Sequence, residues 1–244
     1  MKTNPMHQFE VYRIGPEINL GTINFSFTNA SFFMVISAIT ILFLLFLGTK
    51  KKLLIPSKMQ FVTEMSYTFI AKMINDTAGS NAKPFFPFIF TLFMFVLFCN
   101  MIGMLPYSFT VTSHIIVTFM LAITVFIGVT IIGFIKHGVK YLELFVPKGV
   151  PIALLPLIIV IEIISYLARP VSLSVRLFAN MMAGHTMLKV FGGFVISLGL
   201  LGGWLPLSFS VALTGLEILI AFLQAYVFAI LTCIYLNDAL NIHH

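Results

Sequence analysis

The chain alternates between long apolar runs and short polar joints. The run Asn29–Leu47 is closed by Gly48 and the cluster Lys50, Lys51, Lys52. Pro84–Ile135 contains no Asp, Glu, Lys or Arg. It is too long for one crossing of a bilayer core that takes about 20 residues. A hairpin broken around Pro106–Ser113 follows, and Lys136, Lys140 and Lys148 end it. Two further apolar stretches, Ile152–Ser197 and Leu205–Leu236, are joined by Gly199, Gly202 and Gly203. As straight helices they reach roughly 69 and 48 Å, at about 1.5 Å per residue. A bilayer core is only about 30 Å thick. Either both are steeply tilted, or the first turns at Pro170 into two crossings. Residues Ile55–Gly79 differ, because Lys58, Glu64, Lys72 and Asp76 interrupt them. There Phe61, Met65, Phe69 and Met73 recur every four residues, as on one face of an interfacial helix.

The pattern predicts an all-α integral membrane protein with about five transmembrane helices. The spans fall at about 29–47, 84–105, 114–135, 152–197 and 205–236, with an amphipathic interfacial helix at about 57–79. Composition agrees: 59% of the 244 residues are hydrophobic and 9% charged, too few charges to clothe a soluble domain. The net charge of +6 sits in short loops, where it reads as a topology signal and gives no support to nucleic-acid binding. The basic loops around Lys50–Lys58 and Lys136–Lys148 belong inside by the positive-inside bias. Residues 1–28 then form an extracytoplasmic arm, 29–244 the membrane domain, and His243 and His244 lie inside. The polar start, with Lys2, His7, Glu10, Arg13 and Glu17, is expected to carry no secretory signal. The first apolar run then serves as signal and anchor together. Cys99 and Cys233 lie inside apolar runs and read as small buried hydrophobes. No nucleotide motif, HExxH or nucleophile arrangement is present, so neither bond-making chemistry nor a cofactor is expected.

Six charged or titratable residues, Glu162, Arg169, Arg176, His185, Lys189 and Glu217, fall within the last two stretches. A charge at the bilayer centre costs about 2.5–3.5 kcal/mol even on a lenient scale. Lys189 can snorkel, and Arg169 beside Pro170 can be structural. Arg176 and Glu217, flanked by apolar turns, point to function. At about 100° per residue, Arg169, Ser172, Arg176, Asn180 and Ala183 form one stripe, with Glu162 about 40° away and His185 nearly opposite. Glu217 and Gln224 share a face of the final helix, and Ala183 and Gly184 permit close backbone approach. A secondary transporter or ion channel with an intramembrane Arg/Glu site fits the same charges, and so does a structural scaffold. No internal repeat favours the transporter.

The run RPVSLSVRLFANMMAGH, Arg169 to His185, resembles the signature segment of subunit a of F-type ATP synthases, the membrane stator subunit. LTGLEILIAFLQAYVFAILTCIYL, Leu213 to Leu236, resembles that family's last helix, and NMIGMLP, Asn100 to Pro106, the end of its first hairpin helix. The resemblance implies proton translocation past a ring of c subunits, with peripheral-stalk b subunits as further partners. Protons are then the ion, Na+ the less favoured one. The polar amino-terminal arm, read as carrying no targeting peptide, leans towards a bacterial inner membrane, with a mitochondrial one the alternative. Arg176 matches the arginine facing the ring carboxylates, Asn180 and Gln224 its polar neighbours, and His185 and Glu217 a relay pair. Glu162 matches an acidic position near the cytoplasmic exit; Ser172, Arg169 and Asn100 are supporting candidates. The chain departs from some members at Gly103, where they carry Asp, and at Asn29, which aligns with an acidic residue.

Overall fold

The computed structural model describes residues 9–14, 19–20, 23–24, 26–50, 56–105, 108–146 and 154–241. Lys51, Lys52, Pro106, Lys148, His243 and His244 lie outside the described residues, as does the first part of the arm. Six α-helices follow one another: α1 (Asn29–Thr49), α2 (Lys58–Ala78), α3 (Phe86–Gly103), α4 (Ile115–His137), α5 (Leu155–Gly202) and α6 (Trp204–Leu240). Short 3-10 segments lead into α3 (Ser80–Phe85), precede α4 (Val111–Ser113) and follow it (Gly138–Phe145). Five of the helices, all but α2, are long and apolar enough to cross a membrane. Their outward side chains are those of a lipid-solvated surface: Ile116 is 70% exposed, Ile135 80% and Ile196 85%. The protein is an all-α integral membrane protein.

Local sequence sets the boundaries. Thr28 and Ser57 cap α1 and α2, their hydroxyls accepting from Ser31 N and Gln60 N. Pro87 and Pro156 sit in the first turns of α3 and α5, where a missing N–H costs nothing. Pro170 does not break α5. The helix keeps helical dihedrals through it and departs only at Gly199 (φ 61°, ψ −158°), so α5 runs as one helix to that point and the turn falls among the glycines.

Helix α6 is the hub, packing against α2, α3, α4 and α5. Its inward face (Ala221, Ala225, Phe228, Ala229, Cys233, Leu236) is fully buried or nearly so, with small residues letting neighbours approach closely. The apolar stripe on α2 divides. Met73 is 6% exposed and packs inward with Ile70, Ile74 and Ala78, whereas Phe61 and Met65 are each 56% exposed. Lys136 Nζ donates to Leu240 O (3.1 Å), and His137 Nε2 lies 3.2 Å from the same carbonyl, so the basic end of α4 caps the end of α6. Asn29 holds the arm against α1. Its amide accepts from Tyr12 N (3.2 Å) and donates to Glu10 O (3.1 Å), and a two-residue β-ladder, β1 (Asn19–Leu20) with β2 (Ile23–Asn24), folds the arm on itself.

Candidate functional site

Three polar rungs join the antiparallel pair α5 and α6. Arg169 Nη1 donates to Asp238 Oδ2 at 3.1 Å, Asn180 Nδ2 donates to Gln224 Oε1 at 2.9 Å, and His185 Nδ1 lies 3.2 Å from Glu217 Oε1. The last approach is not aligned as a hydrogen bond, and both Glu217 oxygens, His185 Nε2 and Gln224 Nε2 are buried without a protein partner. Glu217 is 3% and Gln224 4% exposed, so these orphaned groups sit inside the bundle, where an unmet polar atom costs about 1–3 kcal/mol. Asn100 on α3 adds a third helix to the cluster: its Nδ2 donates to Ala221 O (3.2 Å), one turn from Glu217, and its Oδ1 is also buried and unpartnered. The backbone permits this crowding. A Cβ at Gly184 would stand 2.7 Å from Glu217 Oε1 and 3.0 Å from its Cδ, so only glycine leaves room for the carboxylate beside α5.

Arg176 is placed differently. It lies near the middle of α5, one turn before Asn180, exposed on the helix surface, and it makes no hydrogen bond or ion pair among the described residues. Ser172 is exposed on the same face, and Glu162 is half-buried; neither makes a side-chain hydrogen bond or ion pair among the described residues. Lys189, one turn beyond His185, is exposed.

Arg169 belongs to a separate cluster. Its guanidinium is bound by Asp238 and lies between two rings, 5.3 Å from the Tyr166 centroid and 5.1 Å from that of Tyr235. Tyr166 in turn shares hydroxyl contacts with Thr130 (2.6 Å) and Tyr141 (3.1 Å) on the α4 side. Sequence reasoning missed Asp238, Tyr166 and Tyr235. Asp238 follows the last apolar run directly and looks like the polar end of a span. Pairing Arg169 with an acidic residue at the far end of α6 was the available signal, since antiparallel helices of these lengths bring the two together. Among the described residues no group of three or more His, Cys, Asp and Glu could hold a metal ion.

Comparison with known proteins decides the family. The family model for the ATP synthase A chain matches residues 31–237. The chain belongs to the ATP synthase A chain family. It is 79% identical to an ATP synthase subunit a of Pelagibacter ubique (strain HTCC1062) over 244 residues, covering the whole of both chains. It is 58% identical to that of Chelativorans sp. (strain BNC1), again over the whole of both. To the Parvibaculum lavamentivorans (strain DS-1 / DSM 13023 / NCIMB 13966) protein it is also 58% identical, over 99% of this chain and 95% of the relative. As a member of the ATP synthase A chain family, it is a non-catalytic subunit of the complex's membrane sector, serving proton transport in ATP synthesis.

Proposed function

We propose that Arg176 is the fixed cation past which the carboxylates of a rotating c-ring are carried, and that polar paths on either side of it form two half-channels. The observation that carries the reading is the position of Arg176: mid-helix, exposed, and without a counter-charge among the described residues. A guanidinium never loses its proton in a protein. Isolated in a membrane such a charge is costly, so a partner from another chain is called for. A carboxylate brought beside it is held ionised by the opposite charge, while one facing lipid must be neutral. Each carboxylate therefore gives up its proton on approach and gains another on leaving. Separate aqueous access from the two sides gives that exchange a direction, with about 2.3 kcal/mol gained per charge per 100 mV. The same fixed charge bars a proton from passing straight between the two paths.

Within this reading His185 and Glu217 relay protons in the outer path, Asn180 and Gln224 orient the groups beside Arg176, and Glu162 lies at the inner exit. Ser172 and Asn100 line the way. The stretches Leu155–Gly199 and Trp204–Leu240, of 45 and 37 residues, are about 68 and 56 Å long and fit a bilayer core only when steeply tilted. That tilt suits a pair of helices lying across a ring. Peripheral-stalk b subunits are the other expected protein partners, the lipid bilayer the surroundings, and the inner membrane of a bacterium the setting, as the bacterial relatives suggest. Protons suit an imidazole–carboxylate lining better than Na+ does, because imidazole titrates near neutrality. A transporter or free channel is disfavoured by family membership, and would conduct when purified alone.

The test is Arg176→Ala in the intact complex. Membrane vesicles should lose ATP synthesis and ATP-driven proton pumping altogether; synthesis at the parent rate would end the proposal. A cysteine placed at Ser172 or Asn180 should form a disulfide with a cysteine placed beside the ring carboxylate.

A further inference from the structure

Apart from Ser26 Oγ in the arm, the buried side-chain atoms that lack a protein partner among the described residues fall in two groups. Beyond those of Glu217, His185, Gln224 and Asn100, the set includes Thr112 Oγ1 and His114 Nε2, both in the short segment before α4. One-turn steps connect the two groups. Thr110 Oγ1 and Ser108 Oγ donate to Gly103 O (3.2 and 3.0 Å), and a Cβ at Gly103 would stand 2.9 Å from Thr110 Cγ2, so this segment lies against the end of α3. Gly103 is about one turn beyond Asn100. Asn100 donates to Ala221 O, about one turn from Glu217. On the other flank Thr118 Oγ1 and Ser174 Oγ are 3.2 Å apart, tying the start of α4 to α5. Thr110, Thr112, Ser113, Thr118 and Ser174 are all buried, a concentration of hydroxyls in the interior of the bundle. Buried polar atoms without protein partners are where ordered water is required.

From this juxtaposition we infer that His114 is the proton-collecting residue at the mouth of the outer path, passing protons by way of the hydroxyl cluster and Asn100 to Glu217 and His185. The inference deepens the half-channel reading above and rests on it. His114 is suited to the place. The residue is part-exposed while its Nε2 is buried, so the ring extends from surface to interior. Stacking on Phe109 (centroids 4.9 Å apart, planes at 20°) fixes its plane. Neutral imidazole can accept a proton at one nitrogen and release one from the other. Burial holds its pKa below the ordinary value, so the ring rests neutral and a proton taken at one nitrogen is passed on, not retained. The ionisable groups on the elements packed around it are few: none on α1, Cys99 on α3, Lys136 and His137 at the far end of α4, and Glu162, Tyr166, Arg169, Arg176, His185 and Lys189 on α5.

The test uses the intact complex in proteoliposomes, comparing the parent with His114→Ala, His114→Gln and Arg176→Ala as the outer pH is raised. Collection of protons limits the rate most when they are scarce. Both His114 variants should therefore lose ATP synthesis several-fold more than the parent at high outer pH and approach it at low pH. A His114→Gln complex with the parent's pH profile overturns the inference, since glutamine keeps hydrogen bonding and removes only titration. Should Arg176→Ala synthesise ATP normally, the half-channel reading itself fails; if it is inactive while His114→Gln behaves as the parent, only the inlet assignment does. Should the alanine variant not assemble, His114→Cys is exposed to a small water-soluble methanethiosulfonate from the outer side, with the parent, whose Cys99 and Cys233 are buried, as control. Labelling with loss of synthesis is expected. An unreactive thiol overturns the inference.

Discussion

At the scale of single residues, the protein separates charges that are answered within the chain from one that is not. Arg169 has Asp238, and His185 has Glu217; Arg176 has no such partner among the described residues. The His185–Glu217 approach is the more delicate, because it depends on an absent side chain. Gly184→Ala puts a methyl group where the Glu217 carboxylate lies. We expect it to lower ATP-driven pumping by about tenfold, the rate cost of ~1.4 kcal/mol, while the assembled complex remains at parent abundance on a native gel. The pair itself is tested by exchange. His185→Glu and Glu217→His should each impair pumping, and the double variant should recover much of it; equal defects in all three would reduce the pair to packing between helices.

At the scale of elements, α5 and α6 are held by rungs spaced along most of their common length, and the rungs are unequal. The Arg169–Asp238 pair is part-exposed, its side chains 23% and 33% accessible, so its Coulombic contribution is small, about 0–1 kcal/mol. The two ring contacts add about 0.5–1 kcal/mol each. Arg169→Met, which loses all three, should therefore destabilise the complex more than Asp238→Asn, which loses one. Thermal inactivation of the detergent-solubilised complex gives the order directly; a greater loss in Asp238→Asn would contradict it. The long helices, their polar stripe and the family were legible in the sequence, because each is written in residues close along the chain: the run Arg169–His185 carries family and stripe together. Continuity through Pro170 was not legible, since a proline at that position is compatible with either a kink or a bend-free passage. Asp238 was hidden for a different reason. Its partner is on another helix, and one chain gives no direct sign of which span faces which. The orphaned atoms at Thr112 and Asn100 were equally out of view, because lacking a partner is a property of packing.

At the scale of the whole molecule, α6 is both last in sequence and central in space. Contacts from four of the five earlier helices end on it: Phe69 from α2, Asn100 from α3, Lys136 and His137 from α4, and the three rungs from α5. Family membership through residues 31–237 fits this arrangement, since the matched region takes in the hub almost entirely. A change confined to its end should therefore act widely. Replacing both Lys136 and His137 with alanine removes the cap on Leu240 O, and we expect lower abundance of the whole subunit in membranes by immunoblot with little change in specific activity per assembled complex.

The capture of Ala221 O by Asn100 also sets an order of events at the ribosome. Synthesis is vectorial, so α3 enters the bilayer more than a hundred residues before the carbonyl it binds has been made. Through that interval the amide must be sheltered by water, by the insertion machinery or by another protein. A nascent chain halted ahead of α6 thus carries a polar amide in the bilayer with no carbonyl yet made to satisfy it.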